Sequence, residues 1–246
     1  ADTLAAFNLA WVTAASDFSR FTAKKSAATT ASFLGANLGL FWFAFIGLFA
    51  TIGTAVSLNH FDPNNSDPST VAAKLGLGII ALLVIVLTST TANAVNLMSA
   101  GSALTNMTHR LSLNVSLWLV TIAATLVTFI PVYLASFLDV FETFLDGIGM
   151  FLGPEIAIFL VDYFFLKGKH YHLAELTKVR GAYWYTHGIN WIAVASWLLG
   201  VAAYWGLKQV PAIATTTGAT FIAMAITAAI YGCGMRLTKA QPVTAK

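Results

Sequence analysis

The chain has 246 residues, 58% hydrophobic and 9% charged, with a mean hydropathy of +0.76 and a formal net charge of +3. Soluble proteins carry about 25% charged residues, so this composition excludes a water-soluble globular domain and defines an integral membrane protein. The charge is too small to draw nucleic acid, and the single Cys233 excludes an internal disulfide.

Hydropathy predicts seven spans, at about 3–19, 31–57, 76–100, 112–130, 133–166, 185–206 and 211–235. The expected fold class is therefore all-α: one transmembrane domain over 1–246, a multi-span helical bundle. Seven Trp, seven Tyr and eighteen Phe suit its interfacial belts. No pattern of basic, apolar and small-residue regions precedes the first span, so the chain is expected to be the tail of a longer one.

In the first span Asp17 and Arg20 stand three apart at a helix end, as a local ion pair or a gate. After the second span, His60–Pro68 reads as a loop and Ser69–Leu75 as a short surface helix capped by Ser69. The third span is the unusual one. Gly78–Leu87 is apolar, and Thr88, Ser89, Asn93, Asn96 and Ser99 then fall within an arc of about 140° on a helix, with Thr90 and Thr91 beside them. Polar groups at membrane depth are costly unless they meet a partner helix, a wet cavity or a ligand. The stripe is read as a site, with bonding between packed helices as the alternative.

The fifth span would be about 50 Å long as one straight helix, against a hydrocarbon core of about 30 Å. It is expected to break at Asp146–Gly149 or at Gly153-Pro154. Asp139, Glu142 and Asp146 share a face on it, as a wetted rim or an ion path.

Lys and Arg set the orientation. Eleven of the thirteen (Arg20, Lys24, Lys25, Arg110, Lys167, Lys169, Lys178, Arg180, Arg236, Lys239 and Lys246) fall on one set of faces, and Lys74 and Lys208 on the other. The first set is expected to be cytoplasmic, with the N-terminus outside a cell (inner) membrane, the C-terminus inside, and Asp62 and Asp67 outside. His60, His109, His170, His172 and His187 all lie in loops or at span ends, with no Ser-His pair or metal cluster, so no enzyme and no cofactor is expected. A seven-helix receptor without transport shares the topology, but no Lys lies inside the last span to hold a retinal Schiff base.

Three passages together resemble the nucleobase cation symporter 1 family, the permeases for cytosine, purines, uracil, allantoin and hydantoins. Trp11–Phe21 is similar to its Asp-aromatic-x-Arg-aromatic signature, here Asp17-Phe18-Ser19-Arg20-Phe21. Thr90–Ser99 resembles its eighth-span motif. Gly153–Phe164, with Gly181–Tyr185 and Gly188–Ala193, resembles its tenth and eleventh spans. The resemblance covers the whole chain but only the family's second half, spans six to twelve. It implies the second inverted repeat plus two extra helices of a leucine-transporter-type fold, with the N-terminal half absent.

What it implies in function is a secondary transporter importing a nucleobase-like heterocycle with a monovalent cation, sodium or a proton, by alternating access. The cation ligands would be the Leu87 carbonyl and the Thr90 and Thr91 hydroxyls, oxygens suited to a hard ion. Substrate contacts would come from a break in the first span around Phe7, Asn8 and Ala10, with Trp11 a second aromatic, and from Asn96 with Asn93 nearby. Members often carry an aromatic and a Gly where this chain has Asn8 and no Gly. Glu155, where members carry an apolar residue, would face the bundle interior to carry a proton or touch a substrate amine, or else pair with a neighbouring helix.

Overall fold

In hydrocarbon every backbone N–H and C=O must be satisfied within the protein, which favours helix wherever the sequence is apolar. The computed structural model describes residues 2–19, 21–61, 68–108, 110–133, 137–176 and 178–238. Among these, the helices are α1 (Asp2–Val12), α2 (Ala15–Ser19), α3 (Lys25–Leu58), α4 (Pro68–Lys74), α5 (Gly78–Met107), α6 (Leu113–Tyr133), α7 (Phe137–Val161), α8 (Leu173–Leu176), α9 (Trp191–Lys208), α10 (Pro211–Ala214) and α11 (Thr220–Leu237). No strand occurs among the described residues, and Thr186 and Ile189 form an isolated bridge. Asp62, Asp67, His109, Lys239 and Lys246 lie outside the described residues.

Six helical stretches among the described residues are long and apolar enough to cross a membrane: Lys25–Ser57, Gly78–Met107, Leu113–Ile130, Leu138–Leu166, Trp191–Lys208 and Thr220–Leu237. Their apolar side chains stay uncovered. Phe41, Trp42 and Phe43 on α3 are 69%, 63% and 73% exposed, an apolar surface that water would not tolerate and lipid does. The protein is an all-α, multi-span membrane bundle.

The expected first span, 3–19, is two helices. At their junction the Thr13 hydroxyl donates to the Ala10 carbonyl (2.8 Å), turning a side chain back onto the backbone, and the Asp17 amide reaches the Ala14 carbonyl (3.0 Å). Neither piece is of crossing length. At the other end, the span expected over 211–235 starts properly at Thr220, after a turn through Gly218.

The chain divides into two compact units, one made of Ala1–Thr13 with Glu142–Lys246 and the other of Ala14–Phe141. In the first, Tyr204, Ala219 and Ala223 form a buried core against which Met150 and Leu207 pack. Gly200 on α9 lets α7 come close, since a Cβ there would stand 2.8 Å from Pro154 Cβ. The carboxylate of Asp2 accepts from the Ala219 amide (3.0 Å), the Thr220 amide (2.8 Å) and the Thr220 hydroxyl (2.7 Å). It thereby satisfies orphan donors at the start of α11 and sits at the positive end of that helix. Lys208 Nζ lies 3.6 Å from Asp2 and 2.9 Å from Asp146, whose carboxylate also accepts from Tyr204.

The fifth span does not break where expected. α7 runs unbroken through Gly147, Gly149, Gly153 and Pro154, and changes only at Asp162–Leu166, where it widens into a π-helical turn. A proline in a helix interior removes one backbone donor and crowds the preceding turn. Here the Trp197 indole of α9 donates to the Phe151 carbonyl of that turn (2.9 Å), and Pro154 is fully buried. This bond and the burial of Pro154 hold the proline turn of α7 against α9.

In the second unit α5 and α6 pack side by side. Gly101 faces Leu117, whose Cδ2 would lie 2.6 Å from an added Cβ. The Thr105 hydroxyl donates to the Gly101 carbonyl (2.8 Å) and lies 3.1 Å from the buried Ser116 hydroxyl. Val71 and Ala72 of α4 are buried.

Candidate functional site

The polar stretch of α5 keeps its helical form because each hydroxyl folds back onto the preceding turn. Thr88 donates to the Val84 or Ile85 carbonyl (2.9 and 3.0 Å), Thr90 to Val86 (2.7 Å) and Thr91 to Leu87 (2.9 Å). These bonds spend the proton of each hydroxyl and leave its oxygen lone pairs free to accept or to bind a cation. The Thr91 hydroxyl and the Leu87 carbonyl, two of the three oxygens named as cation ligands, are thus neighbours 2.9 Å apart. Leu87, Thr90, Thr91, Asn93 and Asn96 are all exposed on α5.

At the far end of the stripe, half-buried Ser99 donates to Asp17 Oδ2 (2.9 Å). Asp17 thus bonds to a residue of the stripe, inside the second unit. Arg20, expected beside it, lies outside the described residues.

The remaining candidates belong to the first unit. α1 buries Asp2, Ala5, Ala6 and Leu9. Phe7 (38% exposed) and Trp11 (49% exposed) stand one turn apart on its open side, with Asn8 and Ala10 half-buried. The backbone is helical through Phe7, Asn8 and Ala10, and the interruption comes later, at Thr13–Ala14. Around Phe7 the helix offers side chains rather than freed backbone groups. Glu155 lies on the exposed side of α7, between buried Pro154 and buried Ala157.

Two polar clusters in the first unit were not singled out from sequence. One is the Asp2, Asp146, Lys208, Tyr204 and Thr220 set described above. The other centres on Asp162 in the π turn, whose Oδ2 accepts from Tyr171 (2.6 Å) and Oδ1 from Tyr231 (2.8 Å). Asn190 Nδ2 donates to the Tyr231 hydroxyl (3.3 Å), while its Oδ1 caps α9 by accepting from the Ala193 amide (3.2 Å). Asp162 and Asn190 both belong to the third passage, so their presence there was a usable signal. Tyr231 gave none.

In the loop beyond the span, burial and the bond to Asp162 push the Tyr171 phenol well above its ordinary range. Burial, with the nearby Asp162 charge, pushes Tyr185 up to about 12. Burial pulls the Lys167 ammonium down, against the pull of Asp162. Among the described residues no group of three or more His, Cys, Asp or Glu gathers to hold a metal.

Residues 2–232 match the family described as permease for cytosine/purines, uracil, thiamine, allantoin, and the chain belongs to that family. It is 28% identical over 223 residues to a putative purine-cytosine permease of Bacillus subtilis, covering 87% of this chain and 46% of that protein. It is 35% identical over 66 residues to the hydantoin permease of Microbacterium maritypicum, covering 27% of this chain and 14% of that one. Over 62 residues it is 31% identical to nicotinamide riboside transporter 1 of Saccharomyces cerevisiae, covering 25% of this chain and 10% of the relative. The chain thus spans at most about half the length of these relatives. No solved structure matches it.

Proposed function

We propose that the chain is the second half of a cation-coupled importer of a nucleobase or a related flat nitrogen heterocycle, working by alternating access in the cell membrane. The N-terminus lies outside and the C-terminus in the cytoplasm, as the excess of Lys and Arg on one set of faces favours. The relatives carry names of nitrogen heterocycles or their conjugates (purine and cytosine, hydantoin, nicotinamide riboside), which supports the substrate class.

The observation that carries this reading is the Thr91 hydroxyl 2.9 Å from the Leu87 carbonyl, with the Thr90 hydroxyl on the adjacent residue, at exposed positions of a hydrocarbon-length helix. These oxygens bind sodium, with further ligands from the preceding half of the protein. Phe7 or Trp11 stacks on the heterocycle and Asn93 and Asn96 bond to its edge. Asp17, with Arg20, gates the inner vestibule, and Glu155 carries a proton or meets a substrate amine.

The test is uptake of a panel of labelled bases by cells expressing the whole protein, at varied sodium and pH. Replacing Thr90 and Thr91 together by Ala abolishes the sodium dependence of uptake. Sodium dependence that survives the double change rejects this cation site, and ligand binding without flux rejects transport in favour of a receptor.

A further inference from the structure

The loop after α7 builds a cavity within the first unit that the transport reading leaves unused. It holds about 530 Å³, and its lining includes Phe159, Leu160, Phe164, Leu176, Tyr171 and Tyr183. It stands where the span Leu138–Leu166 ends, the depth at which hydrocarbon gives way to headgroups. Phe159, Leu160 and Phe164 are 67%, 45% and 46% exposed, so its apolar wall is open to the outside of the unit.

Two lysines stand beside it, over the rings of two lining residues. Lys167 Nζ lies 5.7 Å from the centre of the Tyr183 ring, and Lys169 Nζ lies 5.7 Å from that of Phe164. The loop 167–190 adds Lys178 and Arg180 and has Glu175 as its one carboxylate, which is paired with Lys178 at 3.0 Å. Asp162, also in the lining, has each oxygen covered by a phenol donor, Tyr171 on one and Tyr231 on the other. These two bonds and the neighbouring Lys167 ammonium offset its charge.

We propose that this cavity binds one phospholipid with an anionic headgroup. Its phosphate is held by Lys167 and Lys169, and the first part of an acyl chain lies along Phe159, Leu160 and Phe164. The apolar wall favours a lipid over a free phosphate, and the two lysines already on ring faces disfavour an organic cation. This inference does not rest on what the protein transports.

The test is native mass spectrometry of the whole detergent-purified protein titrated with phosphatidylglycerol or phosphatidylcholine. Phosphatidylglycerol adducts exceed phosphatidylcholine adducts at equal lipid. Each lysine is worth about fivefold in that preference, so K167Q/K169Q removes it, while K74Q, in the other unit, leaves it intact. Leu160→Trp fills the cavity and lowers both adducts. Equal adducts of the two lipids overturn the proposal. So does a loss in K74Q matching that of the double variant, or displacement of the lipid by equimolar inorganic phosphate. Should the double variant fail to fold, K169Q alone, at an exposed lysine, loses about fivefold, and an unchanged preference there also overturns it.

Discussion

The hydroxyl of Ser99 on α5 donates to Asp17 Oδ2 on α2 across 2.9 Å, joining two residues that are 82 apart in the chain. Removing one partner from a partly buried bond leaves the other unsatisfied, which costs about 1–3 kcal/mol and more when the orphan is charged. Ser99→Ala therefore destabilises the protein by about 1–2 kcal/mol, read as a lowered melting temperature in detergent. Ser99→Thr, which keeps the hydroxyl, retains most of the stability.

Asp2 holds the first turn of α11 by three hydrogen bonds. Asp2→Ala strips that cap and costs about 2 kcal/mol or more, and hydrogen exchange at the Ala219 and Thr220 amides speeds up before exchange in the middle of α11. Gly218→Ala produces the same local loosening for another reason. Its φ of +79° strains any side chain, and its Cβ would stand 2.5 Å from Asp2 Oδ1.

Gly200→Ala forces a methyl against Pro154 and Thr227, both buried. Overpacking of this kind costs about 1–3 kcal/mol. Thermal unfolding of the variant is the measurement, and Gly206→Ala, with open space around it, is the control that changes little.

Glu175 ties its loop by accepting from Lys178 (3.0 Å) and from the Ala182 amide (3.2 Å), and its bond to Lys178 holds its carboxyl below the ordinary value of 4.5. A depressed folded pKa means a contribution that is complete above the unfolded value and lost as pH falls through the folded one. Protection of the Ala182 amide should therefore hold at neutral pH and fade below about pH 4.5. Glu175→Gln removes this pH dependence.

Length and hydropathy placed six of the seven expected membrane helices among the described residues, because a run of about 20 apolar residues has few other fates in a bilayer, but not the first, which is two short helices. What they missed were decisions made by single distant partners. Pro154 reads as a break, but Trp197, 43 positions on, supports the turn before it. Pro211 reads as the start of the last span, but the cap that starts α11 comes from Asp2. The stripe on α5 was legible because hydroxyls and amides stand out against Leu and Val. Its hydroxyls do bond backward as helical Thr usually does, whereas the bond from Ser99 to Asp17 needed the fold. The Asp162 cluster went unread because Tyr231 and Tyr171 look like ordinary interfacial aromatics.

The bond from Asp2 to Thr220 also orders events during synthesis. The Asp2 carboxylate must wait for more than 200 further residues to be threaded into the bilayer before its amide partners emerge. Until then it lacks the three donors at the start of α11, so the first unit cannot close while its final helix is still on the ribosome. A nascent chain stalled before residue 219 should for that reason have a loose α1 as well as an unfinished end.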